Sequence, residues 1–260
     1  MSSSSEDLPA EWLLPHVISA FPETHVINTP QGENVTLQRE VYVTGHEQDD
    51  LPPKMLAQLL ALVDANLGQM YGEFAGEIYT GLSRRKRPPW PAAQWHPRKM
   101  QEMRIPELVY VVYHDATATA SADTETQPLA FVSLLLTHEP EMGPHANVVY
   151  LYEVHVAHVI QRCGVGTWLL RDCAGALVRA LGVWVDGFCG LELTVFRANT
   201  HALRLYQDRL GMQTAPWFVS CETERDEPDK SDKPVAARLR RPRQRDTRPA
   251  YCVLFWDARH

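Results

Sequence analysis

The sequence predicts an α+β (α/β layered) fold in which one central sheet is flanked by helices. Two observations carry this. The elements run strand, helix, β meander, helix, strand, helix, strand, and the second half consists of strand-to-helix units, which place helices in layers on a sheet. At 260 residues the chain is long enough to bury a substantial core, and one domain fits this order better than two.

Residues 1–20 open with the Ser-rich, acidic "MSSSSEDLPAEW" and are expected to be disordered, leaving a single domain over 21–260. "NVTLQREVYV" alternates as a strand. "PPKMLAQLLALVDANLGQMY" reads as a helix, with Pro53 near its start and apolar residues at 55, 56, 59, 60, 63 and 67. Between Gly72 and Pro97, Gly, Pro and Trp punctuate a segment read as a long surface loop. "ELVYVVYHD" and "PLAFVSLLLTHE" make a hairpin whose long tip is the polar "ATATASADTETQ". "NVVYLYEVHV" is the third strand of this series. "GVGTWLLRDCAGALVRAL" is a helix with its apolar stripe at 165, 169, 173, 177 and 180. The strand "LELTVF", the helix "NTHALRLYQDRLG" ending at Gly211, and the strand "YCVLFW" complete the order. Before that last strand, residues 222–249 turn from acidic to basic with almost nothing apolar, the composition of a mobile charged insertion.

Composition excludes several classes. The chain is 45% hydrophobic and 22% charged, with a formal charge of −7 that argues against direct nucleic-acid binding, which needs a basic surface. No apolar run approaches the roughly 20 residues that span a bilayer, so no membrane association is expected. The five cysteines are odd in number and widely spread, without a CxxC pair, which suits a reducing compartment and gives no metal pattern.

The chemistry centres on "QRCGVG", residues 161–166, at a strand-to-helix junction. A Gly-x-Gly turn opening a helix is an anion site: bare backbone lets N–H groups approach a phosphate, at the positive end of the helix dipole. A Walker-type site fails because Thr167 and Trp168, not Lys-Ser/Thr, follow Gly166; a dinucleotide site fails because Leu169 stands where the third glycine belongs. What remains, Gln/Arg-x-x-Gly-x-Gly/Ala, matches the pyrophosphate turn of coenzyme A in the GNAT superfamily. Downstream, "LTVFRANTHALRLYQDRLGM" resembles the second hallmark of that superfamily, Asn-x-x-Ala-x-x-x-Tyr on a helix followed by Leu-Gly-Met. Asn199 opens that helix, able to cap it and to reach a pantetheine arm, and Tyr206 lies two turns on along the same face.

The likeness narrows further. "VYLYEVHV…QRCGVG…LTVFRANTHALRLY", together with "AFPETHVINTPQGENVTL", "ANLGQMYGE" and "WHPRKMQEM", resembles the NatD-type N-alpha-acetyltransferases, which acetylate histone N-termini; the resemblance covers most of residues 20–256. It implies a GNAT fold with a mixed sheet, acetyl-CoA as co-substrate, no metal, a histone N-terminal peptide beginning Ser-Gly as acceptor, a monomer, and a place in cytoplasm and nucleus. Carried over residue by residue, coenzyme A contacts fall on Val154, His155 and Val156, through main chain, on Arg162, Cys163, Gly164, Val165, Gly166 and Thr167, and on Asn199. Catalytic roles fall on Glu153, with Tyr152 and Tyr206 beside it, and peptide contacts on Tyr71, Tyr152, Thr194 and Tyr251. Strand alternation puts Tyr150 and Tyr152 on one face and Glu153 on the other, so all line one pocket only if the strand bulges or splays. The family's strand-end carboxylate falls on Thr137, with His138, Glu139 and Glu141 just beyond: either Glu139 or Glu141 substitutes, or substrate preference has shifted. Its Trp-Gly-Trp element is replaced by "RPPWPAAQW", with Trp90 and Trp95 as pocket walls. Two other readings stay open: a GNAT acting on lysine or a small amine, and a silent domain that binds acyl-CoA or histone tails.

Overall fold

The computed structural model describes residues 8–29, 32–47, 50–80, 89–117, 127–218 and 249–258. Eight strands form one sheet: β1 (Thr24–Asn28), β2 (Asn34–Val43), β3 (Val109–Asp115), β4 (Pro128–His138), β5 (Asn147–Val156), β6 (Phe188–Phe196), β7 (Gln213–Thr214) and β8 (Tyr251–Asp257), in the order β1-β2-β3-β4-β5-β6-β8-β7. Only β5 and β6 pair in parallel, so the sheet is mixed. The β3–β4 hairpin is as expected, most of its tip lying outside the described residues. The charged insertion, up to residue 248, also lies outside them.

Helices cover both faces. On one lie α1 (Ala10–Ala20) and α4 (165–184), packed on Val111, Val132, Leu134, Val149 and Leu191. On the other lie α2 (Pro53–Thr80) and α3 (Ala92–Glu102), packed on Tyr110, Val112, Phe131 and Leu135. The last helix, α5 (200–209), starts at the N-cap Asn199, and Gly211 follows it at φ +71°, the left-handed C-terminal stop. The stripe on α4 is buried at 165, 169, 173, 177 and 181, with Ala180 only half-buried. A spacing of four drifts off one face of a 3.6-residue helix; the π-helical stretch Trp168–Ala174 has wider turns and absorbs the drift.

Two sequence expectations are corrected. Residues 10–20, expected to be disordered, form α1, because Ala10, Leu13 and Val17 recur at helical spacing and bury against the sheet, with Phe21 behind them. The presumed loop 72–97 is mostly helical: α2 continues to Thr80 and α3 begins at Ala92. Its glycines serve close packing. The Trp90 amide donates to the Gly72 carbonyl (2.7 Å), and a Cβ on Gly76 would stand 3.3 Å from the Trp90 indole nitrogen.

Candidate active site

The site is a parting of two strands. β5 and β6 pair from Asn147 opposite Phe188 to Leu151 opposite Leu193, and no further. Beyond that point β5 stays with β4 to Val156, while β6 follows β8 to Phe196. A cleft of about 720 Å³ opens between them and is lined from both faces of the sheet. The phase of the β4–β5 ladder decides what faces it. The Ala157 N–H donates to the Leu129 carbonyl, and alternate residues along the same register, His155 and Glu153, turn their main chain to β4 as well. Val154 and Val156 therefore turn theirs into the cleft. Of the three amides expected to meet the acyl group, the His155 amide is the exception, since it is committed to the ladder.

The register slips by one residue between Ser133–Glu153 and Leu134–Leu151, leaving Tyr152 as an extra residue in β5. A bulge of this kind inverts the facing of everything beyond it. Tyr150 and Tyr152 face α2 and α3 before the bulge, and Glu153 and His155 face the same way after it. Their contacts agree: Tyr152 packs in the α2–α3 core, and His155 stacks on Phe131 with ring centroids 5.2 Å apart. The opposition of Tyr and Glu expected from alternation is removed, and all four residues line the cleft.

Glu153 is held in a buried chain of charges and amides. Its Oε1 pairs with Lys99 Nζ, and its Oε2 accepts from His155 Nε2 at 2.6 Å. The amide nitrogen of Asn66 donates to His155 Nδ1 at 3.2 Å and to the Val156 carbonyl, and Gln161 donates to the Asn66 Oδ1 and to the same carbonyl. With Nδ1 accepting, this bonding assigns the imidazole proton to Nε2. Lys99 also pairs with Glu102 at 2.8 Å and sits 5.4 Å from the centroid of the Tyr71 ring. Burial alone would raise the Glu153 carboxyl, but the Lys99 charge and the His155 hydrogen bond outweigh it and pull it down to about 2 from 4.5. On the partner, burial is likewise outweighed by Glu153, with Tyr71 and Glu102, and Lys99 stays well above the ordinary lysine value. A depressed carboxyl contributes stability that is whole above about pH 4.5 and lost as pH falls through about 2. Denaturant titration should show a loss of order 3 kcal/mol across that window, and Glu153→Gln should remove most of that slope.

Opposite this chain stands the anion side. Gly164 takes φ +85° as the residue that turns the chain into α4, and Arg162 takes φ +65°, a left-handed conformation unusual for a side-chain-bearing residue. Gly166 lines the cleft, and a Cβ on it would meet nothing within 4 Å, so the open side of the turn is space for a ligand. Arg162 lines the cleft too, its guanidinium 3.5 Å from the His201 ring. Cys163, Gly164, Val165 and Thr167 supply main chain at the start of α4: the Cys163 thiol turns to the Gln161 carbonyl at 3.6 Å and Val165 is buried in the core. Asn199 caps α5 by accepting from the Ala202 N–H at 3.1 Å, which leaves its amide N–H₂ for the cleft it lines. Tyr206 lines the cleft from α5; burial raises its phenol above the ordinary tyrosine value and keeps it protonated as a donor.

The remaining wall of the cleft is aromatic. Tyr71 is clamped between Trp95, stacked at 4.7 Å, and Phe196, edge-on at 5.1 Å; the Tyr150 hydroxyl bonds Thr194 at 2.5 Å, and Tyr251 closes the side formed by β8. Tyr71, Tyr152, Thr194 and Tyr251 thus converge as expected. Trp90 and Trp95 stand behind the wall, stacked on Tyr79 and Tyr71. Thr137, His138 and Glu139 are not brought to the cleft: they end β4, opposite Val148 and Asn147, at the other end of β5. Glu139 instead approaches Glu192, whose carboxyl is pushed up to about 8 by burial and by that neighbouring charge. Lys99, Glu102, Asn66 and Tyr79 were missed. Trp95, Lys99 and Glu102 follow helical spacing, a signal masked by Pro91 and Pro97. Among the described residues no group of His, Cys, Asp or Glu is arranged to hold a metal ion, and no helix is long and apolar enough to cross a membrane.

A parallel pair that splays beside a glycine turn, within a mixed sheet covered by helices, is the GNAT acetyltransferase fold. The chain belongs to the acetyltransferase (GNAT) family, whose profile matches residues 77–212. N-alpha-acetyltransferase 40 of Saccharomyces cerevisiae is 34% identical over 172 residues, covering 63% of this chain and 53% of the yeast protein, so the chain spans about half the length of that curated relative. Among solved structures, Arabidopsis thaliana NAA60 in complex with acetyl-CoA aligns over 86% of this chain and 99% of its own with 10% identity and a TM-score of 0.46. The ribosomal-protein-S18-alanine N-acetyltransferase from Escherichia coli aligns over 85% and 94%, with 12% identity and a TM-score of 0.40.

Proposed function

We propose that this protein transfers the acetyl group of acetyl-CoA to the α-amine of a protein N-terminus, with histone-type Ser-Gly starts as the substrate class. The observation that carries the reading is the bulge at Tyr152. It sets the tyrosines and Glu153 of β5 on the acceptor face, directly beside the amides of Val154 and Val156 that point into the gap. The 34% identity with a yeast N-alpha-acetyltransferase supports the same reading.

The residues then divide the work. The start of α4 and Arg162 bind the pyrophosphate, and the Asn199 amide orients the pantetheine arm. The Val154 and Val156 N–H groups polarise the thioester carbonyl. Tyr206 hands a proton to the leaving thiolate. Tyr71, Tyr152 and Tyr251 enclose the first residue of the acceptor, where a bulky side chain would collide, and carboxylates favour a basic residue after it. An α-amine has a pKa near 8, so a modest proton acceptor suffices.

The test compares acetyl-CoA turnover on a peptide beginning Ser-Gly-Arg-Gly and carrying an internal lysine with the same peptide blocked at its N-terminus. Turnover confined to the free N-terminus is expected. Equal turnover on both peptides would move the assignment to lysine, and tight peptide binding without turnover would indicate the silent domain.

A further inference from the structure

The carboxylate at the centre of the site has no vacant oxygen. Glu153 spends Oε1 on Lys99 and Oε2 on His155, and its side chain is only 6% exposed. Glu102 differs in both respects. It lines the same cleft, its side chain is 32% exposed, and Lys99 engages its Oε2 alone. Among the described residues its Oε1 has no hydrogen bond or ion pair. Lys99 Nζ touches both carboxylates, so Glu102 stands within one ammonium's width of the residue that precedes the Val154 amide. The charges also leave a vacancy of definite sign: Lys99, Glu153 and Glu102 sum to −1, the complement of one cation. Facing Glu102 are Lys99 and the Tyr79 phenol of α2, which lies close enough to feel the Glu102 carboxylate but forms no well-aligned hydrogen bond among the described residues. Tyr71 and Glu153 complete the groups of this wall.

We propose that Glu102, through its uncommitted Oε1, receives the ammonium of the acceptor and takes its proton, while Glu153 is a positioning residue that holds Lys99 and His155 in place. The proposal rests on the acetyl-transfer reading above. The acceptor enters as R–NH₃⁺ and gives one proton to Glu102. The nitrogen lone pair of R–NH₂ then attacks the thioester carbon, the C–N bond forms, and the C–S bond breaks with its electron pair on sulfur. The second proton lost by nitrogen goes to the thiolate through Tyr206, and Glu102 releases its own to water at the mouth of the cleft. The Tyr79 hydroxyl is placed to donate to Glu102 or to the incoming peptide carbonyl.

The experiment measures kcat/KM against pH for wild type, Glu102→Gln and Glu153→Gln with the free Ser-Gly-Arg-Gly peptide. Glu102→Gln should lose about 100-fold near pH 7, and the deficit should shrink as pH passes the amine's own pKa of about 8, where the acceptor deprotonates unaided. A residue needed only for folding lowers the rate equally at every pH, and that flat profile would overturn the assignment. So would Glu102→Gln at the wild-type rate with Glu153→Gln inactive, which would return the proton to Glu153 and leave N-terminal acetylation intact. Wild-type enzyme that acetylates neither the free N-terminus nor the internal lysine would overturn the acetyl-transfer reading and this proposal with it.

Discussion

Lys99→Met should lower stability by about 3–5 kcal/mol, because methionine fills the volume but leaves Glu153 as a buried charge without its cation. In a chain of this size that corresponds to a melting temperature lower by on the order of 10 °C. The loss belongs to the orphaned carboxylate more than to the missing contact, so adding Glu153→Gln to Lys99→Met should restore part of it. A double-mutant cycle measures that coupling, and strict additivity would show that the two side chains do not act as a pair. The acid-linked loss of stability expected of the wild type should also flatten in Lys99→Met. A cost below 1 kcal/mol would mean that water reaches Glu153.

The second large effect separates ligand from fold. Gly166→Asp adds a carboxylate in the first turn of α4, where the helix dipole favours a negative charge and the added Cβ meets no neighbour. Folding should be unaffected or gain up to about 1 kcal/mol, since glycine is a poor helix residue. Coenzyme A affinity should fall by about 100-fold or more, because the new charge occupies the place of the pyrophosphate and repels it. Calorimetric titration with coenzyme A, alongside the melting temperature of the free protein, reads both. Unchanged affinity would remove the glycine turn from the ligand site.

Local chemistry was legible where a motif is contiguous. The glycine turn, the Asn199 cap and the β strands with strong alternation or apolar runs stand where the residues put them. Two kinds of feature were not. A bulge depends on how one strand registers on its neighbour, and nothing in "YLYEV" alone announces that Tyr152 is the extra residue. The segment after Gly72 was read through its prolines and glycines as a loop. Yet Pro91 sits at the N-cap of α3, Pro97 is tolerated inside it, and Gly72 and Gly76 make room for Trp90. That single misreading hid Lys99 and Glu102, the partners that define the electrostatics of the site. The cleft is lined by Glu102 of α3, whereas the residues anticipated at the end of β4 do not reach it.

The opening between β5 and β6 passes through the sheet, with the glycine turn on one side and the tyrosine wall on the other. In the proposed reaction the nucleotide-bearing thioester takes the side of the glycine turn and the peptide the side of the tyrosines, so they meet only at their reactive ends and neither lies across the other's exit.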